Sequence, residues 1–450
     1  MSSKKKWVYL AGGAALVYAA SKVLQSTRNH GLAKGKVFVI VGAGFAGFSV
    51  ACGLAKLLPE SDNGEIVLID EDRYLLFTPM LTEVAGGEVE ARHIVHPLHQ
   101  LSKRIQFIHG RVTGIDIAGR TVDLGTKRYQ ADHLIIALGS VTNFHDIPGL
   151  EQVAIPMQTL DDAAAVYRRT TSCLEAASLE GDAEKRRELL TFVVSGGGFS
   201  GVETMAALND SVRRGIRDFP RLAKEEIRTI LINPGERLLE ALTPDLAAYA
   251  ARALESRGVE TRMKSKVSGA TRTYVDLLGG ERIPTRTLIW TAGVKPNPIA
   301  EQVRCEKSEH GAIKVDGCCR IPGTSGVWAL GDCAEIPRAG HKPYSPTAQN
   351  ATREGSLVAR NIAAELHGLH PRPFEYTPVG ELALVGRRSG VARIYSHNFS
   401  GPLAWLMWRA TYLAKMPGTV QKSRIVGDWL MDLLFGRDAV SQMPPMKEAK

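Results

Sequence analysis

Cysteine is scarce in this chain, and the six present never pair at a metal-binding or redox spacing. Cys52, Cys173, Cys305 and Cys333 stand apart and Cys318 and Cys319 are adjacent, so there is no C-x-x-C and no Cys/His cluster of zinc type. A disulfide scaffold and a zinc site are excluded, and no metal is expected. The cysteines read as small apolar fillers in a reducing compartment. Aromatics make up only 6%, and no basic stripe alternates with them, so the formal charge of +9 does not point to nucleic acid. Much of the base lies near the two ends, where an anionic lipid surface is the partner to expect. Apolar runs also stop short of the roughly 20 residues that span a bilayer. The amino-terminal KKKWVYLAGGAALVYAASKV sets about 15 apolar or small residues behind three lysines. It reads as an uncleaved anchor, with a signal peptide or a presequence as the other readings.

What the chain does have is length and glycine. Its 450 residues predict two or three domains, and its 44 glycines suit an α/β protein with many tight strand-to-helix turns. In VFVIVGAGFAGFSV (Val37 to Val50) a buried parallel strand runs into Gly42, Gly44 and Gly47 at GxGxxG spacing. Gly42 allows the sharp turn, Gly44 lets a pyrophosphate approach the backbone, and Gly47 lets helix and strand pack closely. The helix, expected from about Phe45 to Leu58, offers free N–H groups to the phosphates. A second strand, EIVLID, ends in Asp70, about 23 residues past Gly47, where a carboxylate accepts hydrogen bonds from an adenosine ribose.

The pattern recurs in FVVSGGGFSGVETM with Gly196, Gly198 and Gly201, followed by Glu203 on the first helical turn. Here the strand IRTILI ends at Asn233 rather than an acid. Asn233 removes the repulsion that a carboxylate exerts on the 2′-phosphate of NADPH, so NADPH is expected to be accepted beside NADH. Arg237 and Lys264 are candidate phosphate partners, while Glu236 could stand in for the missing acid. One cradle is read as holding a resident flavin, FAD, and the other as receiving NADH or NADPH. TSGVWALGDCAEI carries a strand into Asp332, placed to bond the ribityl chain of FAD. HLIIALGS, with its turn at Gly139, leaves the flavin domain, and TLIWTAGVKPNP returns to it.

These residues resemble the two-dinucleotide-fold flavoproteins and, more narrowly, the type II NADH:quinone oxidoreductases. The specific matches are DRYLLFTPMLTEVAGGEVEARHIVHPL, YSPTAQNATREG and the stretch from VGELALVGRRSGVARI to DWLMDLLFGRD. The likeness runs from about Lys36 to Asp438. It implies an α/β fold of two Rossmann-like dinucleotide-binding domains, the FAD domain discontinuous, plus a C-terminal membrane-associating helical region. The expected boundaries are 1–35 for the anchor or targeting segment, 36–150 and 301–370 for the FAD domain, 151–300 for the NAD(P)H domain and 371–450 for the membrane-associating region. The family's Ala-Gln-x-Ala-x-Gln run beside the flavin reads Ala348, Gln349, Asn350, Ala351, Thr352, Arg353 here. Gln349 is kept, and Arg353 replaces the second glutamine. Arg353 could hydrogen-bond a quinone carbonyl, stabilise reduced flavin or form a structural salt bridge. The resemblance also places Glu203 near the nicotinamide.

The implied reaction passes hydride from NAD(P)H to FAD and two electrons on to a membrane quinone, without proton pumping. No Ser/His/Asp constellation is needed for it, so His93, His96 and His99 read as surface or core positions. A homodimer is implied too, at the cytoplasmic face of a bacterial plasma membrane, where NAD(P)H is found. In the tail, Trp405, Trp408 and Tyr412 are expected at the lipid interface. An amphipathic helix from Gln421 to Phe435 is expected beside them, with Ile425, Val426, Trp429, Leu430, Leu433 and Leu434 on its apolar face, Asp428 and Asp432 elsewhere, and basic flanks at Lys415, Lys422 and Arg437. Competing readings are a sulfide:quinone oxidoreductase using Cys318, Cys319 and Cys333, a quinone reductase of quinone biosynthesis, and a membrane-tethered flavoprotein that senses NAD(P)H.

Overall fold

The computed structural model describes residues 35–60 and 64–435. The expected amino-terminal anchor lies outside them apart from Gly35, as does Arg437 of the basic flank. VFVIV and TFVVS form strands Val37–Val41 and Thr191–Ser195, each the middle strand of a five-stranded parallel sheet. β-Branched residues favour the extended backbone, and with helices on one face and a three-stranded antiparallel sheet on the other, residues 114–130 for the first and 267–284 for the second, almost every position is buried. The first sheet runs in the order Val327–Ala329, His133–Ile136, Val37–Val41, Glu65–Asp70, Ile105–His109. The second runs Ile155–Pro156, Thr287–Trp290, Thr191–Ser195, Arg228–Ile232, Val259–Arg262. The first thus takes an outer strand from beyond the residues of the second. The chain passes between them along two short antiparallel strands, Ser140–Thr142 and Val294–Pro296.

Register sets the position of the site. Val41 pairs with Ile69 on one side and Ile136 on the other, so Gly42, Asp70 and Ala137 leave the first sheet at one edge. Ser195 pairs likewise with Ile232 and Trp290, bringing Gly196, Asn233 and Thr291 together. Ligands of open parallel sheets bind outside this carboxyl edge. Helix Ala348–Leu366 lies against the first elbow helix, Phe45–Leu57, through small residues. A Cβ on Gly355 would stand 2.4 Å from the Ala46 carbonyl oxygen, and one on Gly53 would stand 2.6 Å from the Ala359 Cβ. That close approach brings Gln349 and Arg353 over the elbow.

After residue 379 a three-stranded meander, Gly380–Gly386, Ser389–Ile394 and His397–Gly401, leads into helices Pro402–Lys415 and Thr419–Phe435. The meander packs on the second elbow helix, Phe199–Gly215, and shares its core. One expectation for this region is corrected. Trp408 is fully buried, Tyr412 stacks on Trp408 and Phe77, and Trp405 packs against the protein, so these aromatics fill core rather than face lipid. The last helix turns most of its expected apolar face outward, with Leu430, Met431, Leu433, Leu434 and Phe435 exposed, Phe435 77% exposed, while Ile425 and Trp429 depart from that face and pack on the body. Its polar Gln421, Asp428 and Asp432 face the body, where Asp432 pairs with Arg214 at 2.7 Å and Asp428 Oδ2 lies 2.6 Å from His93 Nδ1. Among the described residues no helix is long and apolar enough to cross a membrane.

At Gly201 an added Cβ would lie 1.8 Å from the Gly196 carbonyl oxygen, so helix and strand must separate to admit it. Gly201→Ala is expected to cost about 1–3 kcal/mol of stability, read as a lower thermal midpoint. Ser200→Ala on the exposed side of the same turn should stay within about 0.5 kcal/mol of the parent.

Candidate active site

The first elbow is a clasp around an opening. Gly42 has φ +95°, and a Cβ there would meet the Ala137 carbonyl oxygen at 2.2 Å; one on Gly47 would meet the Gly42 carbonyl oxygen at 1.8 Å. Gly44 between them has nothing within 4 Å of a Cβ position, so backbone faces open space where a phosphate fits. Asp70 sits beside it, accepting from the Ala43 and Asp72 amides, with its carboxyl raised by burial. Gly139, at φ +68°, also faces open space. Ser140 Oγ donates to Asp332 Oδ2 at 2.8 Å, and burial raises the Asp332 carboxyl. Glu354, not singled out from sequence, accepts from the Gly331 amide at 2.8 Å, and burial pushes its carboxyl up to about 7. Asp332, Tyr344, Ser345, Thr347, Ala351 and Glu354 line one pocket. An open glycine backbone beside a pocket of buried acceptors fits a dinucleotide whose pyrophosphate continues into a polyhydroxyl chain, as in FAD.

The second elbow repeats the clasp. Gly196 has φ +124°, its Cβ position crowded by Thr291 Oγ1 at 2.4 Å, and Gly198 is open. Asn233 is buried against Gly197, and its Nδ2 donates to the Arg237 carbonyl at 3.0 Å. Lys264, a candidate phosphate partner, pairs with Glu236 at 2.9 Å, and both are exposed. Arg237 bonds the Glu240 carbonyl at 2.9 Å. The rim of this cradle therefore holds the cations Arg237 and Lys264 beside the acids Glu236 and Glu240.

Strand Gly380–Gly386 joins the two cradles. Glu203 Oε1, from the second elbow helix, accepts from the Leu384 amide at 3.0 Å and from Trp408 Nε1 at 2.8 Å. Burial pushes the Glu203 carboxyl up to about 8 against those two bonds. Gln349, from the helix on the first elbow, donates from Nε2 to the Gly380 carbonyl at 3.5 Å and accepts from the Tyr376 hydroxyl. Arg353 lies with its guanidinium 4.0 Å from the centre of the Tyr376 ring and bonds the Gln349 carbonyl at 3.3 Å. It makes no salt bridge among the described residues, and its charge, after partial burial, lowers the Lys415 ammonium. Ala348 opens the same helix, capped by Thr347. Tyr376 and Trp408 carry no sequence signal for these contacts, which link residues far apart in the chain.

Of the histidines set aside, His93 is the partner of Asp428 and His96 packs edge-on against Phe48 of the first elbow helix. All six cysteines are free. Burial pushes the Cys333 thiol up to about 12 and the Cys319 thiol well above its usual range, which suppresses the thiolate that sulfur chemistry needs. Among the described residues no cluster could hold a metal ion.

Two glycine clasps, one with Asp70 and one with Asn233 at the neighbouring strand end, define an oxidoreductase built on a pair of dinucleotide folds. The chain belongs to the pyridine nucleotide-disulphide oxidoreductase family, matched over residues 36–355, and within it to the type II NADH:quinone oxidoreductases, with an NDH2 C-terminal domain over 379–438. It is 31% identical to the type II NADH:quinone oxidoreductase Ndh of Mycobacterium tuberculosis, over 89% of this chain and 88% of the relative. It is also 31% identical to the demethylphylloquinone reductase NdbB of Synechocystis, over 87% and 96% respectively. Its fold is similar to that of NDH2 from Plasmodium falciparum in complex with NADH, at TM-score 0.83 and 18% identity, covering 90% of this chain and 100% of that one. The sulfide:quinone oxidoreductase of Aquifex aeolicus is also similar in fold, at TM-score 0.70 and 16% identity, covering 90% and 96%.

A carboxyl raised by folding binds more protons folded than unfolded. Its stabilising contribution is therefore complete below the ordinary carboxyl value and lost as pH rises through about 8 at Glu203. Glu203→Gln is expected to make the fall in thermal midpoint between about pH 5 and pH 8 shallower, by up to about one proton's worth of slope. Thermal denaturation across that range checks it.

Proposed function

We propose that the protein is an NAD(P)H:quinone oxidoreductase with FAD as its resident cofactor. The observation that carries this is the single strand whose backbone holds Gln349 at Gly380 and Glu203 at Leu384, setting the two cradles on one site. The open backbone at Gly44, with Asp70, Gly139, Asp332 and Glu354, would hold FAD, and that at Gly198, with Asn233, would hold the coenzyme. Bound there, FAD supplies a ring that accepts hydride from the nicotinamide and gives two electrons to a quinone. Glu203, held by Leu384 and Trp408, carries a proton at neutral pH. Gln349 and Arg353, which makes no salt bridge among the described residues, present donors at the mouth, suited to a quinone carbonyl or the charge that develops on it. Asn233 and Lys264 favour NADPH and Glu236 opposes it, so both coenzymes are substrates.

Anaerobic mixing of the purified protein with NADH or NADPH, then with a soluble quinone, tests this. Flavin absorbance should bleach with either coenzyme and return with the quinone. A colourless protein that cannot be reconstituted with FAD overturns the function. The Synechocystis relative makes reduction of a biosynthetic naphthoquinone the second reading, separated by ranking quinones by kcat/KM.

The outward apolar side of the last helix, with exposed Leu403 and Leu406 of the helix before it and Lys415 and Lys422 at its edge, suits an anionic bilayer holding the quinone. Leu430→Asp with Leu434→Asp should release most of the protein from sedimenting anionic vesicles, by roughly tenfold or more in partitioning, while soluble-quinone turnover persists. Unchanged sedimentation would assign the docking to other residues.

A further inference from the structure

Helix Ala348–Leu366 and the meander are joined by a stretch, residues 371–378, that forms no helix or strand and is nonetheless fastened along its length. The Arg372 amide donates to Asn361 Oδ1, and its carbonyl accepts from Asn361 Nδ2, both at 2.9 Å. The Phe374 amide donates to the Gly317 carbonyl at 2.7 Å, and its carbonyl accepts from the Tyr344 hydroxyl at 3.2 Å. The Tyr376 amide donates to that same hydroxyl oxygen at 3.3 Å. Phe374 is buried with its ring centre 4.7 Å from that of Tyr344, while Glu375, Thr377 and Pro378 are exposed. What this fastening holds in place is the half-buried side chain of Tyr376.

That side chain governs both donors at the mouth. The Gly380 carbonyl can only accept, so the nitrogen of the Gln349 amide faces it and Oε1 is turned to Tyr376. The Tyr376 oxygen accepts from the Val379 amide at 3.3 Å and gives its one hydrogen to Gln349 Oε1. Gln349 thus has its oxygen occupied and keeps one N–H without a partner among the described residues. The ring of Tyr376 carries the Arg353 guanidinium at 4.0 Å, and Arg353 bonds the Gln349 carbonyl one turn back. Removal of the hydroxyl frees the Gln349 amide to turn and set its own oxygen against an incoming oxygen.

We propose that Tyr376 is the positioning residue for the electron acceptor: its hydroxyl orients the Gln349 amide to donate to an acceptor oxygen, and its ring seats Arg353 as the second donor to the same molecule. Donors fixed before binding select an acceptor that presents carbonyl oxygens and need no ordering when it arrives. The inference rests on the quinone-reductase function, and Tyr376 acts through Gln349 and Arg353.

The test uses full-length holoprotein. Tyr376→Phe keeps the ring under Arg353 and removes only the hydroxyl. It should bleach with NADH at the parent rate, while kcat/KM for a soluble benzoquinone falls about tenfold, mostly through KM. Ferricyanide, which offers no carbonyl oxygen, should re-oxidise the bleached variant at the parent rate. Gln349→Ala should cost quinone kcat/KM roughly tenfold in the parent but less than about twofold in Tyr376→Phe, where no oriented amide is left to lose. Tyr376→Leu, which also unseats Arg353, should fall about threefold or more below Tyr376→Phe. Parent kcat/KM in Tyr376→Phe, additive losses in the double variant, or an equal fall with ferricyanide would overturn the positioning and leave the function standing. Loss of flavin from Tyr376→Phe would mark a structural residue and overturn it equally. Failure of any quinone to re-oxidise the parent protein would overturn the function and the positioning together.

Discussion

The arrangement turns on one buried carboxylate. Glu203 gives a single oxygen to the Leu384 amide and the Trp408 indole, and so ties the second elbow helix to the meander and the meander to the tail. Taking an ionised carboxyl out of water costs several kcal/mol, and two hydrogen bonds offset only part of that. The remainder is relieved by a proton. A group that is neutral when buried and ionised when wetted is costly as a strut and well suited to a reaction that consumes protons. The fold keeps it because Trp408, fully buried, cannot turn away without opening the core it shares with Met205 and Val391.

The tail extends the same logic. An amphipathic helix usually hides its apolar side, and this one hides its acids. Asp432 pairs with Arg214 and Arg387 and Asp428 shares a hydrogen bond with His93, so its acids secure the helix while its leucines remain outside. Pairs this buried are worth much more than surface pairs when one partner is removed, because the survivor is left desolvated. The ionic seam thus holds an oily surface in a fixed orientation on the body.

Legibility in the sequence followed sequence distance. Both elbows could be read because glycine spacing, strand and helix are contiguous, and the structure places Gly42, Gly47, Gly196 and Gly201 where a side chain would strike backbone. Asp70 and Asn233 could be placed because a strand end beside an elbow is fixed by register. Glu354, Tyr376, Trp408 and the Glu83–Arg409 contact could not, since each depends on segments brought together only by the fold. The aromatic residues of the tail misled for the same reason. Tryptophan suits an interface and a core alike, and only the partners of Trp408 and Trp429 decide. Arg353 was visible as a departure, but its stacking on Tyr376 was not.

The strand Val327–Ala329 pairs with His133–Ile136, and nearly the whole of the second sheet's chain is made between them. A ribosome therefore releases a finished second cradle before the first can close. Until then the edge of His133–Ile136 stays unpaired, a flat row of apolar side chains open to any passing strand. Maturation of the flavin cradle is thereby a late event set by chain order, and the nascent protein has most need of chaperones in the interval between the two passages.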